Sequence, residues 1–160
     1  MGTRGLIVLV IKKRIFSLYN HWDSYPSALG RQLIQELISL LEKHTMAELA
    51  TILYNLVIVS NNIPPTPDEI SMLKKYSDLY VSTCSLSDWY CLLRKCQGSL
   101  CKTIESGYAN ATEYDKIDDI DTRWVDYVYL LDFNLDKFYC NSKEISSLTN
   151  LNFEWISNSD

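Results

Sequence analysis

The chain opens with an unbroken run of six aliphatic residues, Leu6 to Ile11, many of them β-branched. That pattern predicts a buried strand over Leu6–Lys12. A polar break at Lys12-Lys13-Arg14 and a second extended stretch, Arg14 to Asn20, predict an N-terminal hairpin, although no Asn-Gly or Asp-Gly turn marks it. The period then changes from two to about 3.6. Leu33, Ile34, Leu37, Ile38, Leu40 and Leu41 form one broad stripe, with Ser27 read as the cap of that helix and its end near His44. Thr45-Met46-Ala47-Glu48 is a capping box that starts a second helix, with Leu49, Ile52, Leu53, Leu56 and Val59 on its apolar face.

Asn61 to Pro65 reads as a loop, and Thr66-Pro67-Asp68-Glu69 as the next helix start. Leu79 to Cys84 reads as a short strand or connector. Ser85 to Asp88 opens a helix that Gly98 stops, and Ser99 to Ser106 reads as one more short helix. Tyr108 to Thr122 is polar and acidic and predicts a solvated loop. Trp124 to Phe133 carries the strongest strand signal, with a turn at Asn134-Leu135 and a return strand over Lys137–Cys140. A tail from 142 to 160, rich in Ser and Asn, is expected to be partly mobile. The order predicts a single α+β domain over 1–160. Its antiparallel sheet comes from an N-terminal and a C-terminal hairpin and is covered by four to five helices.

Composition narrows the classes. Hydrophobic residues make up 47% of 160 residues and charged residues 22%, which is a globular balance. The net charge of −5 and the lack of a basic stripe argue against general nucleic-acid binding. The Leu6–Ile11 run is far shorter than the roughly 20 residues of a membrane span and lacks a signal-peptide cleavage site. No membrane role and a cytoplasmic location are therefore expected. The five cysteines include no C-x-x-C pair, and their odd number predicts reduced thiols rather than a metal site. The acidic stretch from Glu113 to Asp121 lacks the spacing of a calcium loop. No cofactor motif is present.

The candidate chemistry lies in Tyr19–Pro26, YNHWDSYP. Were the extended chain to continue, His21, Asp23 and Tyr25 would share one side. A carboxylate beside an imidazole fixes its tautomer and suits proton transfer. Gly30 falls in the first turn of the next helix, where it serves either close approach of an anion to backbone N–H groups or tight helix–sheet packing. Arg4, at the start of the first strand, and Arg94 are candidate cations. Trp89 is either a core residue or a stacking platform. The competing account makes the segment a structural corner, with His21 and Asp23 tying it and Trp22 filling the core.

Met1-Gly2-Thr3-Arg4-Gly5, YNHWDSYP with Leu29-Gly30, and Asp88 to Arg94 (DWYCLLR) resemble an uncharacterised protein family of fungi and large DNA viruses, with a shorter phage-like opening. Pro64 to Pro67, Gln97-Gly98 and Trp124 to Phe138 extend the resemblance over most of the chain. It implies that Thr3, Arg4, His21, Asp23 and Tyr25 belong to one site. It implies no reaction.

Two functions follow as expectations. One is a binding or interaction protein with a polar pocket of Arg4, His21, Asp23, Tyr25, Gly30, Trp89 and Arg94, taking a small anionic or nucleotide-like ligand or a protein partner. The other is a hydrolase with His21 and Asp23 as acid–base pair, or with Thr3 as an N-terminal-type nucleophile. Removal of Met1 would expose Gly2, so the Thr3 version needs a further cleavage. No G-x-S-x-G or P-loop motif supports catalysis.

Overall fold

The structure, a computed structural model, describes residues 2–80 and 85–158. The N-terminal hairpin forms as the pattern predicts: β1 (Gly5–Ile11) pairs with β2 (Arg14–Asn20) along its whole length. The turn is held from outside, because Lys12 adopts a positive φ of 55°. The Asn134 side chain accepts from Lys12 N–H at 2.7 Å and donates to its carbonyl at 2.9 Å. A distant side chain thus does what Asn-Gly would do locally.

Helix α1 (Arg31–Lys43) is preceded by a single π-helical turn, Pro26–Gly30, and ends against His44. Ser27 is not its cap. Pro26 sets the first turn, and no side-chain cap bond is made there. α2 (Met46–Tyr54) and α3 (Pro67–Leu73) carry both predicted capping boxes, Thr45 with Glu48 and Thr66 with Glu69. Leu56 and Val59 leave the α2 face, because the chain turns after Tyr54 into β3 (Val57–Val59).

Within the predicted opening Ser85–Asp88, the Asp88 carboxylate caps the short α4 (Trp89–Leu92). α5 (Leu100–Ser106) follows and stops at Gly107, in the left-handed region. Residues 81–84 lie outside the described residues, and with them most of the Leu79–Cys84 connector.

The stretch expected as an acidic loop begins instead with a strand, β4 (Tyr108–Tyr114), between β2 and β3. Its sequence, YANATEY, hides the signal because only one residue is fully buried. β5 (Tyr127–Asp132), β6 (Lys137–Cys140) and β7 (Lys143–Ser146) complete a seven-stranded sheet of order β3-β4-β2-β1-β5-β6-β7. The fold is α+β. The sheet is mixed rather than wholly antiparallel, since β1 runs parallel to β5 and β3 to β4. The connection 115–126 explains the first of these. β4 and β5 point the same way, so the chain must return along the sheet, past β2 and β1, before β5 begins. The stretch expected to trail away from 142 is packed: β7 pairs with β6, and Leu148 and Ile156 are buried.

β1 is buried along its full length because it lies mid-sheet and is covered on both faces. Ile7, Leu9 and Ile11 pack with Leu33, Ile34 and Leu37 of α1, with Leu49 and Leu53 of α2, and with Tyr129 and Phe138. A smaller cluster of Leu73, Tyr76, Trp89, Leu92 and Leu93 holds α3 and α4 together. Among the described residues no helix is long and apolar enough to cross a membrane.

Both capping-box carboxylates, Glu48 and Glu69, sit below their ordinary pKa, chiefly because each accepts the N-cap backbone N–H. A depressed carboxylate stabilises the fold at pH above its unfolded value, and that contribution drains away as pH falls through the folded value. Urea unfolding should therefore weaken on acidification. A Glu48→Gln, Glu69→Gln double variant, which keeps the acceptor without the charge, should weaken less steeply. Equal slopes would show that the boxes contribute no acid sensitivity.

Candidate functional site

Thr3, Asn20 and Ser24 build the corner at the end of β2. Asn20 is buried and donates through Nδ2 to the Trp22 carbonyl at 2.6 Å and to Ser24 Oγ at 2.9 Å. Ser24 is fully buried. Its N–H donates to Thr3 Oγ1 at 2.7 Å, and its carbonyl accepts from the Tyr129 hydroxyl at 2.6 Å. The polar residues that the fold needs are therefore Asn20, Ser24 and Thr3. Trp22, by contrast, is 51% exposed rather than a core plug, and Asp23 is exposed at a φ of +50°.

That sharp turn overturns the expected side-sharing of His21, Asp23 and Tyr25. His21 Nδ1 meets the Tyr19 hydroxyl at 2.7 Å, and its backbone N–H donates to Gln97 Oε1 at 2.7 Å. Asp23 is instead in reach of the Tyr25 hydroxyl, at 3.5 Å. The His21–Asp23 pair does not form. Thr3, the expected nucleophile, uses its hydroxyl oxygen to hold the corner.

Around Tyr19 and His21 an aromatic cluster assembles. The Trp124 ring lies 5.2 Å from Tyr19 between centroids, and Trp22 meets His21 edge-on at 4.6 Å. Burial raises the Tyr19 phenol above its ordinary pKa, with Tyr90 adding to the rise, while Arg4 and Arg94 both pull it down and Asp126 pushes it up. The two predicted cations thus act on one hydroxyl from different elements. Arg4 reaches the site from the start of β1, where its backbone N–H donates to Asp126 Oδ2 at 2.8 Å. Arg94 follows α4 and lies over the Tyr90 ring at 6.0 Å. Among the described residues neither guanidinium has a carboxylate partner. Arg94 Nε is buried with no hydrogen-bond partner there.

Gly30 and Trp89 do not belong to this cluster. The N–H groups of Ala28 and Gly30 donate to the Tyr25 carbonyl and that of Leu29 to the Asp23 carbonyl, so these three groups are engaged within the turn and not held for an anion. A Cβ on Gly30 would lie 3.1 Å from Trp155 and 3.2 Å from Tyr129, so tight packing is the reason for the glycine. Gly30→Val should destabilise by about 1–3 kcal/mol through overpacking. Ligand binding at the cluster should survive in the folded fraction. An unchanged thermal melt would refute the packing account. Trp89 is buried, stacked on Tyr108, and donates to the Ile63 carbonyl at 2.7 Å, as a core residue does.

The sequence reading missed Tyr19, Trp124 and Gln97 as site residues. Tyr19 had a signal, since it lies two residues before His21 on an extended chain. Trp124 and Gln97 fall in stretches that carry the resemblance but had no local signal of a site role, because only the crossover and the α4–α5 turn bring them there.

The thiols also differ from expectation. Cys91 is disulfide-bonded. Cys96, Cys101 and Cys140 are free, and burial pushes the last two up to about 11.

No family model, curated protein or solved structure matches the chain.

Proposed function

We propose that this chain is a small binding protein whose site is the Tyr19–His21–Trp124 cluster with Arg4 and Arg94. Its ligand would be an anion carried on a planar ring, such as a nucleotide. One observation carries the reading. Two guanidiniums bear on a single partly buried hydroxyl without a carboxylate to neutralise either, and one of them keeps a buried donor unspent. Unpaired buried donors are costly, so a site that retains one is supported as a place where an acceptor binds. The exposed faces of Trp22 and Trp124 suit a flat ring.

The hydrolase reading keeps one observation, the Tyr19–His21 hydrogen bond, which could pass a proton. Tryptophan fluorescence with adenosine monophosphate as probe tests both. Binding should quench emission, and Trp124→Phe should remove most of the change. Quenching that Trp124→Phe leaves intact would place the ligand elsewhere. Turnover of the probe into adenosine and phosphate would favour the hydrolase.

A further inference from the structure

The crossover 115–126 does not seal the sheet beneath it. Between it and the β1–β5–β6 face lies a groove of about 650 Å³, within the size range of small-molecule sites. Its aliphatic lining is Val8, Val128 and Leu130 from the sheet and Ile117, Ile120 and Val125 from the crossover, with Thr122, Tyr139, Asn141 and Ser142 adding uncharged polar groups. Its charged lining is of one sign, Asp126 and Asp132, with no Lys, Arg or His among the described lining residues.

Asp132 is the informative member. It is only 7% exposed, yet it carries a carboxylate. Oδ1 accepts from the N–H groups of Asn134 and Leu135, at 2.9 and 3.0 Å, and so holds the β5–β6 turn. Oδ2 has no hydrogen-bond partner among the described residues. Lys137, its cross-strand neighbour, forms its ion pair with Glu144 at 2.7 Å and bears on Asp132 only through space, as the weakest of the influences on the lysine. Asp132 Oδ2 is left as an open acceptor on the groove lining. Charge complementarity then selects the occupant.

We propose that this groove is a second ligand site, adjoining the arginine cluster at Asp126 and of opposite charge preference. It takes a small apolar organic cation, with the hydrocarbon body along Val8, Val128 and Leu130 and a protonated amine on Asp132. Asp126, just before β5 and about 20 Å away along the extended chain, marks the far end of the groove, where its Oδ2 accepts from Arg4 N–H and its charge favours the same sign of ligand.

Three probes with one eight-carbon tail test this: octylamine, octanol and octanoate, titrated into the intact chain while the methyl signals of Val8, Val128 and Leu130 are followed by NMR. Octylamine should shift those methyls and bind about tenfold or more tighter than octanol, with octanoate weaker still. Asp132→Asn keeps an oxygen acceptor for the turn and should abolish the preference of amine over alcohol. If that variant fails to fold, Ile120→Lys on the crossover, which brings a like charge into the groove, should abolish octylamine binding instead. Octanoate binding as tightly as octylamine would overturn the proposal. So would methyl shifts that follow protein concentration alone, which would make the occupant a second copy of the chain.

Discussion

Gly98→Ala should lower stability by about 3 kcal/mol. Gly98 has a φ of +81°, and the left-handed region costs a side chain about 1–2 kcal/mol. A Cβ there would also lie 2.6 Å from Asn20 Oδ1. Asn20 cannot easily move, since its amide already holds Trp22 and Ser24. Overpacking of this kind costs a further ~1–3 kcal/mol. Gly107→Ala is the control. Gly107 has a φ of +77° with nothing within 4 Å of the Cβ position, so it carries the conformational cost alone. In a chain of this size the melting temperature should fall by about 10 °C for Gly98→Ala, and by a third to a half of that for Gly107→Ala. Equal losses at the two glycines would mean that the Asn20 contact contributes nothing to the corner.

Arg94→Gln should cost about tenfold to a hundredfold in affinity for adenosine monophosphate while changing stability by less than about 1 kcal/mol. A charge-assisted hydrogen bond contributes about 1.5–3 kcal/mol, which sets the range. On the stability side the variant loses only a cation–π contact with Tyr90, worth about 0.5–1 kcal/mol, and relieves a buried unpaired donor. Arg4→Gln should act in the same direction but less strongly, because Arg4 is exposed and solvent screens its charge. Equilibrium dialysis and a thermal melt on each variant separate the two effects. Full affinity in Arg94→Gln would remove the cation from the site.

How much of this was legible depended on whether the information was local. Helix starts at Thr45 and Thr66 were readable because a capping box is complete within four residues. So were β1 and β5, whose apolar runs are continuous. β4 was not, because a strand paired on both sides yet open on one face can be polar, as Asn110, Thr112 and Glu113 show. The parallel β1–β5 pairing was likewise hidden, since it follows from the route of 115–126 rather than from either strand.

The YNHWDSYP segment divides along the same line. Its density of polar side chains pointed to the right place. Which of them turn inward was fixed by a single positive-φ residue, Asp23. Extended-chain alternation paired His21 with Asp23, and the turn pairs it with Tyr19. Arg94 was legible only as a charge, Arg4 as a charge at the start of the first strand within the motif that carries the resemblance, and Trp124, the residue that completes the cluster, lies more than a hundred positions from Tyr19.

The most direct test of the proposed site is proton–nitrogen NMR of the arginine Nε–H and tryptophan indole N–H groups during titration with adenosine monophosphate. The account predicts that the Arg94 and Arg4 Nε–H signals and the Trp124 indole move together on one binding curve. The Trp89 indole, bonded to the Ile63 carbonyl in the satellite core, should stay in place. Arginine signals that do not move through millimolar ligand, or a Trp89 indole that moves while Trp124 does not, would contradict it.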